Sequence, residues 1–123
     1  MAQRIGSGMR ELVHASQYSA DVLYETLCFN AQQAVEKALK AILVLQGVRV
    51  PFTHSIGMLI SLIQESEIDW PEGLNPCVRL ARYATHTRYP GPHDVVSEED
   101  YQEAVRIAEE VVAWAERLVG ERT

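Results

Sequence analysis

Arg88 and His93 bracket a short stretch, Tyr89-Pro90-Gly91-Pro92, and together carry the residue types needed to cut a phosphodiester without a metal. An imidazole gains and loses a proton near neutral pH, and a guanidinium stabilises charge building on phosphate. A loop rich in Pro and Gly fixes side-chain direction at a surface, which suits a site. The spacing also fits a plainer role, in which Arg88 pairs with Asp94 or Glu98 and His93 flanks a helix start. A second constellation lies just upstream. Arg79, Arg82 and His86 stand at i, i+3 and i+7, so on a helix they share a basic face able to hold a phosphate or a partner's carboxylates, with Tyr89 close by in sequence. No acidic residue occurs from Gly73 to His93, so the whole stretch attracts phosphate locally.

Other reactive residue types lead elsewhere. Glu36 lies on an otherwise apolar segment, where a carboxylate is costly to bury unpaired. Glu36 and Lys40 are four apart in the favourable order for an ion pair, and Glu36 and Lys37 read as ion pairs or polar contacts that fix helix packing, with a functional role as the alternative. His54, between Thr53 and Ser55, reads as a neighbour of a helix cap, and His14 sits in no pattern. Cys28 and Cys77 form no CxxC pair and join no His cluster, so neither a disulfide scaffold nor a structural zinc site is expected. The phosphate loop of nucleotide hydrolases, the dinucleotide GxGxxG, the GxSxG elbow and HExxH are all missing. No metal or cofactor is expected.

The elements that must position these residues are helices. Tyr101, Ala104, Val105, Ala108, Val111, Val112, Ala115, Leu118 and Val119 repeat at three- and four-residue spacing, which predicts an amphipathic helix opened by the capping-box-like Ser97-Glu98-Glu99-Asp100 and stopped at Gly120. A wide apolar stripe from Leu23 to Leu45 predicts a helix buried on two sides, capped by Ser19 or Asp21 and ended by Gly47, with Pro51 beyond. Ile56, Leu59, Ile60 and Ile63 give a third helix behind the cap candidates Thr53 and Ser55. Asn75-Pro76 opens a fourth that must end before Pro90. Met9 to Gln17 reads as a further helix. Val48-Arg49-Val50, the one strand candidate, is flanked by breakers. The expectation is an all-α, up-and-down antiparallel bundle of about five helices forming a single domain over residues 1–123.

Composition sets outer bounds. The chain has 123 residues, 47% apolar and 23% charged, enough for one globular core. No apolar run is long enough to span a bilayer, and Met1 to Arg10 has no apolar stretch of a secretory signal, so a cytoplasmic location and no membrane partner are expected. A formal net charge of −6 argues against a general nucleic-acid coat protein, which needs surplus Lys and Arg facing phosphates. The acidic run from Asp94 to Glu121 reads as a solvated helix face.

The string Cys28-Phe29-Asn30-Ala31-Gln32-Gln33-Ala34-Val35-Glu36-Lys37-Ala38-Leu39-Lys40-Ala41, then Thr53-His54-Ser55, Tyr83 and Arg88-Tyr89-Pro90, resembles the HEPN domain. It looks most like the branch encoded beside minimal nucleotidyltransferases, and the resemblance runs from about Ala20 to Leu118. The resemblance implies a helical bundle, usually a homodimer, with one of two roles. Many members are metal-independent ribonucleases, often toxins, that use an Arg followed a few residues later by a His. Others serve as nucleotide- or substrate-binding helpers of a nucleotidyltransferase, which acts as antitoxin in toxin systems. Four residues separate Arg88 from His93, which matches the ribonuclease pattern, while Tyr89, Pro90 and Pro92 keep the two from sharing one continuous helical turn. The resemblance therefore implies catalysis by Arg88 and His93, binding of RNA or nucleotide through Arg79, Arg82, His86 and Tyr89, and a minimal nucleotidyltransferase as partner. A non-catalytic helper or adaptor of that enzyme is the alternative.

Overall fold

The computed structural model describes residues 17–84 and 96–122. Four helices occupy them: α1 (Gln17–Leu45), α2 (Ile56–Glu65), a 3-10 helix η1 (Glu72–Tyr83) and α3 (Glu98–Arg122). There is no strand among the described residues, and Val48-Arg49-Val50 is irregular. The all-α expectation holds; the further helix expected over Met9 to Gln17 lies almost wholly outside the described residues.

α1 runs 29 residues because nothing in it breaks a helix: no Gly or Pro occurs between Gln17 and Gln46. The chain is already helical at Gln17, so Ser19 and Asp21 lie inside the helix and do not cap it. Its end is the expected one. Gly47 takes φ +72, its amide donates to the Val44 carbonyl at 3.0 Å, and the Val48 amide reaches back to the Leu43 carbonyl at 2.9 Å. This paired arrangement satisfies the last carbonyls and turns the chain back on itself. α2 starts where Ser55 Oγ accepts from the Met58 amide at 3.1 Å, which selects Ser55 over Thr53 as the cap.

The fourth helix differs from expectation at both its start and its type. It begins at Glu72, after Pro71, and Asn75 caps nothing: its Oδ1 instead accepts from the Trp70 indole Nε1 at 2.8 Å. The helix winds at three residues per turn, and the sequence shows why. Leu74, Cys77, Leu80 and Tyr83 stand at strict three-residue spacing and line up in one column against the core, whereas Glu72, Asn75, Val78 and Ala81 form an exposed column. Gly73, Pro76, Arg79 and Arg82 make the third column, so the two arginines project one above the other beside the buried row.

Ser97 and Asp100 cap α3 reciprocally. Ser97 Oγ accepts from the Asp100 amide and an Asp100 carboxylate oxygen accepts from the Ser97 amide, both at 3.0 Å. The helix continues through Gly120 to Arg122, because Gly120 keeps an ordinary helical backbone and so provides no left-handed stop.

The core is one cluster shared by all four helices. Val35, Leu39, Ile42 and Leu43 of α1 are fully buried, as are Ile56, Leu59 and Ile63 of α2, Cys77 of η1 and Val111 of α3. Each such aliphatic side chain contributes about 1.5–3 kcal/mol of burial. Tyr24 stacks on Tyr101 at 5.0 Å between ring centroids, and Trp70 meets Trp114 edge-on at 5.2 Å. Both cysteines are buried and form no disulfide. No described helix is long and apolar enough to cross a membrane.

Candidate functional site

η1 and α3 run antiparallel, with Trp70 against Trp114 and Arg79 against Glu103, and a cleft of about 170 Å³ lies between them. Arg79, Leu80, Arg82, Tyr83, Asp100, Glu103 and Ala104 line it. The sequence thus placed Arg79 and Arg82 correctly on a shared face, though through a three-residue repeat and not an α-helical one. His86, Arg88, Tyr89 and His93 lie outside the described residues.

The two arginines are held differently. Arg79 Nη1 is 3.3 Å from Glu103 Oε1, with both side chains largely exposed. Such an exposed pair is worth no more than about 1 kcal/mol. Arg82 lines the cleft and lies over the Tyr83 ring, its guanidinium carbon 5.4 Å from the centroid. Tyr83 is buried, and burial pushes its phenol up to about 12, with the neighbouring Cys28 adding to the rise and Arg82 opposing it. At neutral pH the phenol therefore stays protonated and forms a neutral floor beneath Arg82. Asp100 is tied into the α3 cap through its carboxylate.

Asp100 and Glu103 were missed as cleft residues, because the sequence pattern marked the acidic run only as a solvated face. Their spacing from the buried Ala104, one turn and one residue before it, was the available signal.

A second polar cluster forms around Glu36 of α1. Glu36, nearly fully buried, takes three hydrogen bonds at 2.8 Å: Gln32 Nε2 donates to Oε2, while Lys40 Nζ and His54 Nδ1 both meet Oε1. Gln33 Nε2 in turn donates to Gln32 Oε1 at 2.9 Å. Burial alone would raise the Glu36 carboxyl, but the three donors and the Lys40 charge outweigh it and hold the group below the ordinary carboxylate value. The expected Glu36–Lys40 pair is present; the His54 contact was not legible, because it joins residues eighteen apart in sequence. An ionised carboxylate only accepts, so His54 Nδ1 carries the proton.

Among the described residues no group of His, Cys, Asp and Glu is arranged to hold a metal ion. Cys77 is no nucleophile, since burial pushes its thiol up to about 11.

No curated protein and no solved structure matches the chain significantly. The model of the HEPN domain, in contrast, matches residues 2–118 of 123, a span that takes in α1, α2, η1 and most of α3. The chain belongs to the HEPN domain family.

Proposed function

We propose that this HEPN domain binds RNA through the basic stretch from Arg79 to His93 and cleaves it without a metal. The supporting observation is the cleft itself: η1 stacks Arg79 and Arg82 in one column beside a buried row, at the head of a stretch with no acidic residue that leads to Arg88 and His93. Arg79 and Arg82 hold the flanking phosphates, and His86 and Tyr89 extend the contact along the strand. Arg88 holds the scissile phosphate. His93 takes the proton of the ribose 2′-hydroxyl or gives one to the departing 5′-oxygen. The active unit is a homodimer that brings two such sets together, and the likeness of the Cys28–Ala41 string to the nucleotidyltransferase-associated branch supports a minimal nucleotidyltransferase as its partner.

The test is cleavage of a mixed RNA by partner-free protein in EDTA, with the Arg88→Ala and His93→Ala proteins alongside. The proposal requires cleavage by the unaltered protein and its loss in both variants; undiminished cleavage in either removes these roles.

One observation favours a second reading. Glu103 already occupies Arg79, and Asp100 also lines the cleft, so arginines there accept carboxylates as readily as phosphates. On that reading the dimer is a non-catalytic helper whose arginines dock a nucleotidyltransferase or its nucleotide. It requires nucleotide binding that depends on the partner and no RNA cleavage by the isolated protein.

A further inference from the structure

The charge of the chain is unevenly spread in a second place. From Lys37 to Gln64 there is no acidic residue, whereas Lys37, Lys40, Arg49 and His54 all occur there. Glu36, just before this stretch, is buried and already shared by Lys40 and His54. Lys37 and Arg49 are exposed and have no ion-pair partner among the described residues, unlike Arg79 with Glu103 and Arg106 with Glu110.

The fold brings Lys40 and His54 together on Glu36, with Lys37 the next residue of α1 and Arg49 in the segment that leads to Phe52. Glu36 lies nine residues before the end of α1, so for His54 to reach it the segment after Gly47 must run back along the helix by about two turns. Lys37, Lys40 and His54 therefore stand at one level of α1, with Phe52 two residues before His54. Phe52 is fully exposed, its ring 6.5 Å from the His54 ring in an edge-on arrangement. His54 is fixed by Glu36 yet its side chain is 66% exposed, so with Nδ1 protonated its Nε2 faces outward.

An exposed aromatic ring beside unpaired cations fits a single strand of nucleic acid: any base stacks on the ring, and phosphates sit over the cations. We infer that Phe52 is a stacking platform for a base of single-stranded RNA, with Lys37, Arg49 and His54 contacting the adjoining backbone. This is a surface separate from the η1–α3 cleft, and it extends the RNA reading above, on which it rests. Charge decides for RNA over an apolar partner chain, because unpaired lysine and arginine are costly to cover with an apolar surface and cheap to cover with phosphate.

The experiment measures anisotropy of a fluorescein-labelled, unstructured RNA of about 12 nucleotides in EDTA at several salt concentrations, in the His93→Ala background so that the probe stays intact. Phe52→Ala should weaken binding roughly 5-fold or more without changing the thermal midpoint, since the ring touches little of the core. Lys37→Glu with Arg49→Glu should lower the salt slope by about 0.7 for each phosphate no longer neutralised. Arg117→Glu on α3, which changes the charge in the same direction, should leave that slope nearly intact. Affinity unchanged in Phe52→Ala while the parent binds RNA overturns this inference and leaves the cleft reading standing. No binding by the parent overturns both. A shift of Phe52→Ala from dimer to monomer with RNA affinity retained also overturns it, assigning the patch to the interface between copies.

Discussion

Replacing Glu36 by Ala probes the buried polar cluster, and its cost follows from what each partner does afterwards. The Lys40 and His54 side chains both reach solvent, so water takes the place of the carboxylate for each. Gln32 is fully buried, and its Nε2 is left without an acceptor, which costs about 1–3 kcal/mol. The removed methylene adds about 0.8 kcal/mol. The sum is about 2–4 kcal/mol, at or below the range for breaking a pair buried on both sides. Glu36→Gln keeps the shape and one acceptor and should cost about 1–2 kcal/mol, through loss of the charge-assisted bonds. Urea unfolding followed by far-UV circular dichroism reads this directly: at about 1–2 kcal/mol per molar urea, Glu36→Ala lowers the midpoint by roughly 1–4 M. The sign of the pH dependence is fixed as well. The Glu36 carboxyl is held lower in the folded protein than in the unfolded chain, so its stabilisation is complete above its ordinary value of 4.5 and is lost as pH falls through the lowered folded value. The gap between the unaltered protein and Glu36→Gln should therefore be full at pH 7 and shrink below about pH 4. A midpoint change under about 0.3 M for Glu36→Ala, or a gap equally wide in acid, would refute the argument.

Other substitutions separate the local devices. Ser97→Ala removes one half of the α3 cap and should cost about 1 kcal/mol, with hydrogen exchange at the Asp100 amide rising before any change in the core. Gly47→Ala places a side chain at φ +72 with open space around it, so its cost of about 1 kcal/mol is purely conformational and should appear in thermal unfolding with no loss of packing. Cys28 and Cys77 are fully buried and form no disulfide, and burial pushes Cys77 up to about 11. Both should resist Ellman's reagent at pH 8 in the native protein and react at once in denaturant.

What the sequence made legible was local. The reciprocal Ser97–Asp100 cap, the Gly47 stop, the Ser55 cap and the Glu36–Lys40 pair each depend on residues within a turn of one another, and each is present. Errors arose where a distant group competed for a local signal. Asn75 resembled a cap, but the Trp70 indole took its side chain, and the helix opened earlier after Pro71. Gly120 resembled a stop, but it kept a helical backbone. The three-residue repeat of Leu74, Cys77, Leu80 and Tyr83 was readable as a 3-10 pattern and distinguishes η1 from the α-helix that Arg79, Arg82 and His86 suggested. Of the candidate residues, Arg79 and Arg82 line one cleft beside the buried column of η1. The carboxylates opposite them, and the meeting of His54 with Glu36, are tertiary contacts that no spacing within one element encodes.

The central claim is that His93 moves the proton of a ribose 2′-hydroxyl in a metal-independent cleavage, and the chemistry of the product ends tests it most directly. Attack by the 2′-oxygen on phosphorus with departure of the 5′-oxygen leaves a 2′,3′-cyclic phosphate on one fragment and a 5′-hydroxyl on the other. Partner-free protein in EDTA should give those ends from RNA, give none from the same strand carrying a 2′-deoxy residue at the cleavage position, and lose the activity in His93→Ala. Absence of cleavage by the folded protein, cleavage of the deoxy strand, or undiminished cleavage by His93→Ala would contradict it.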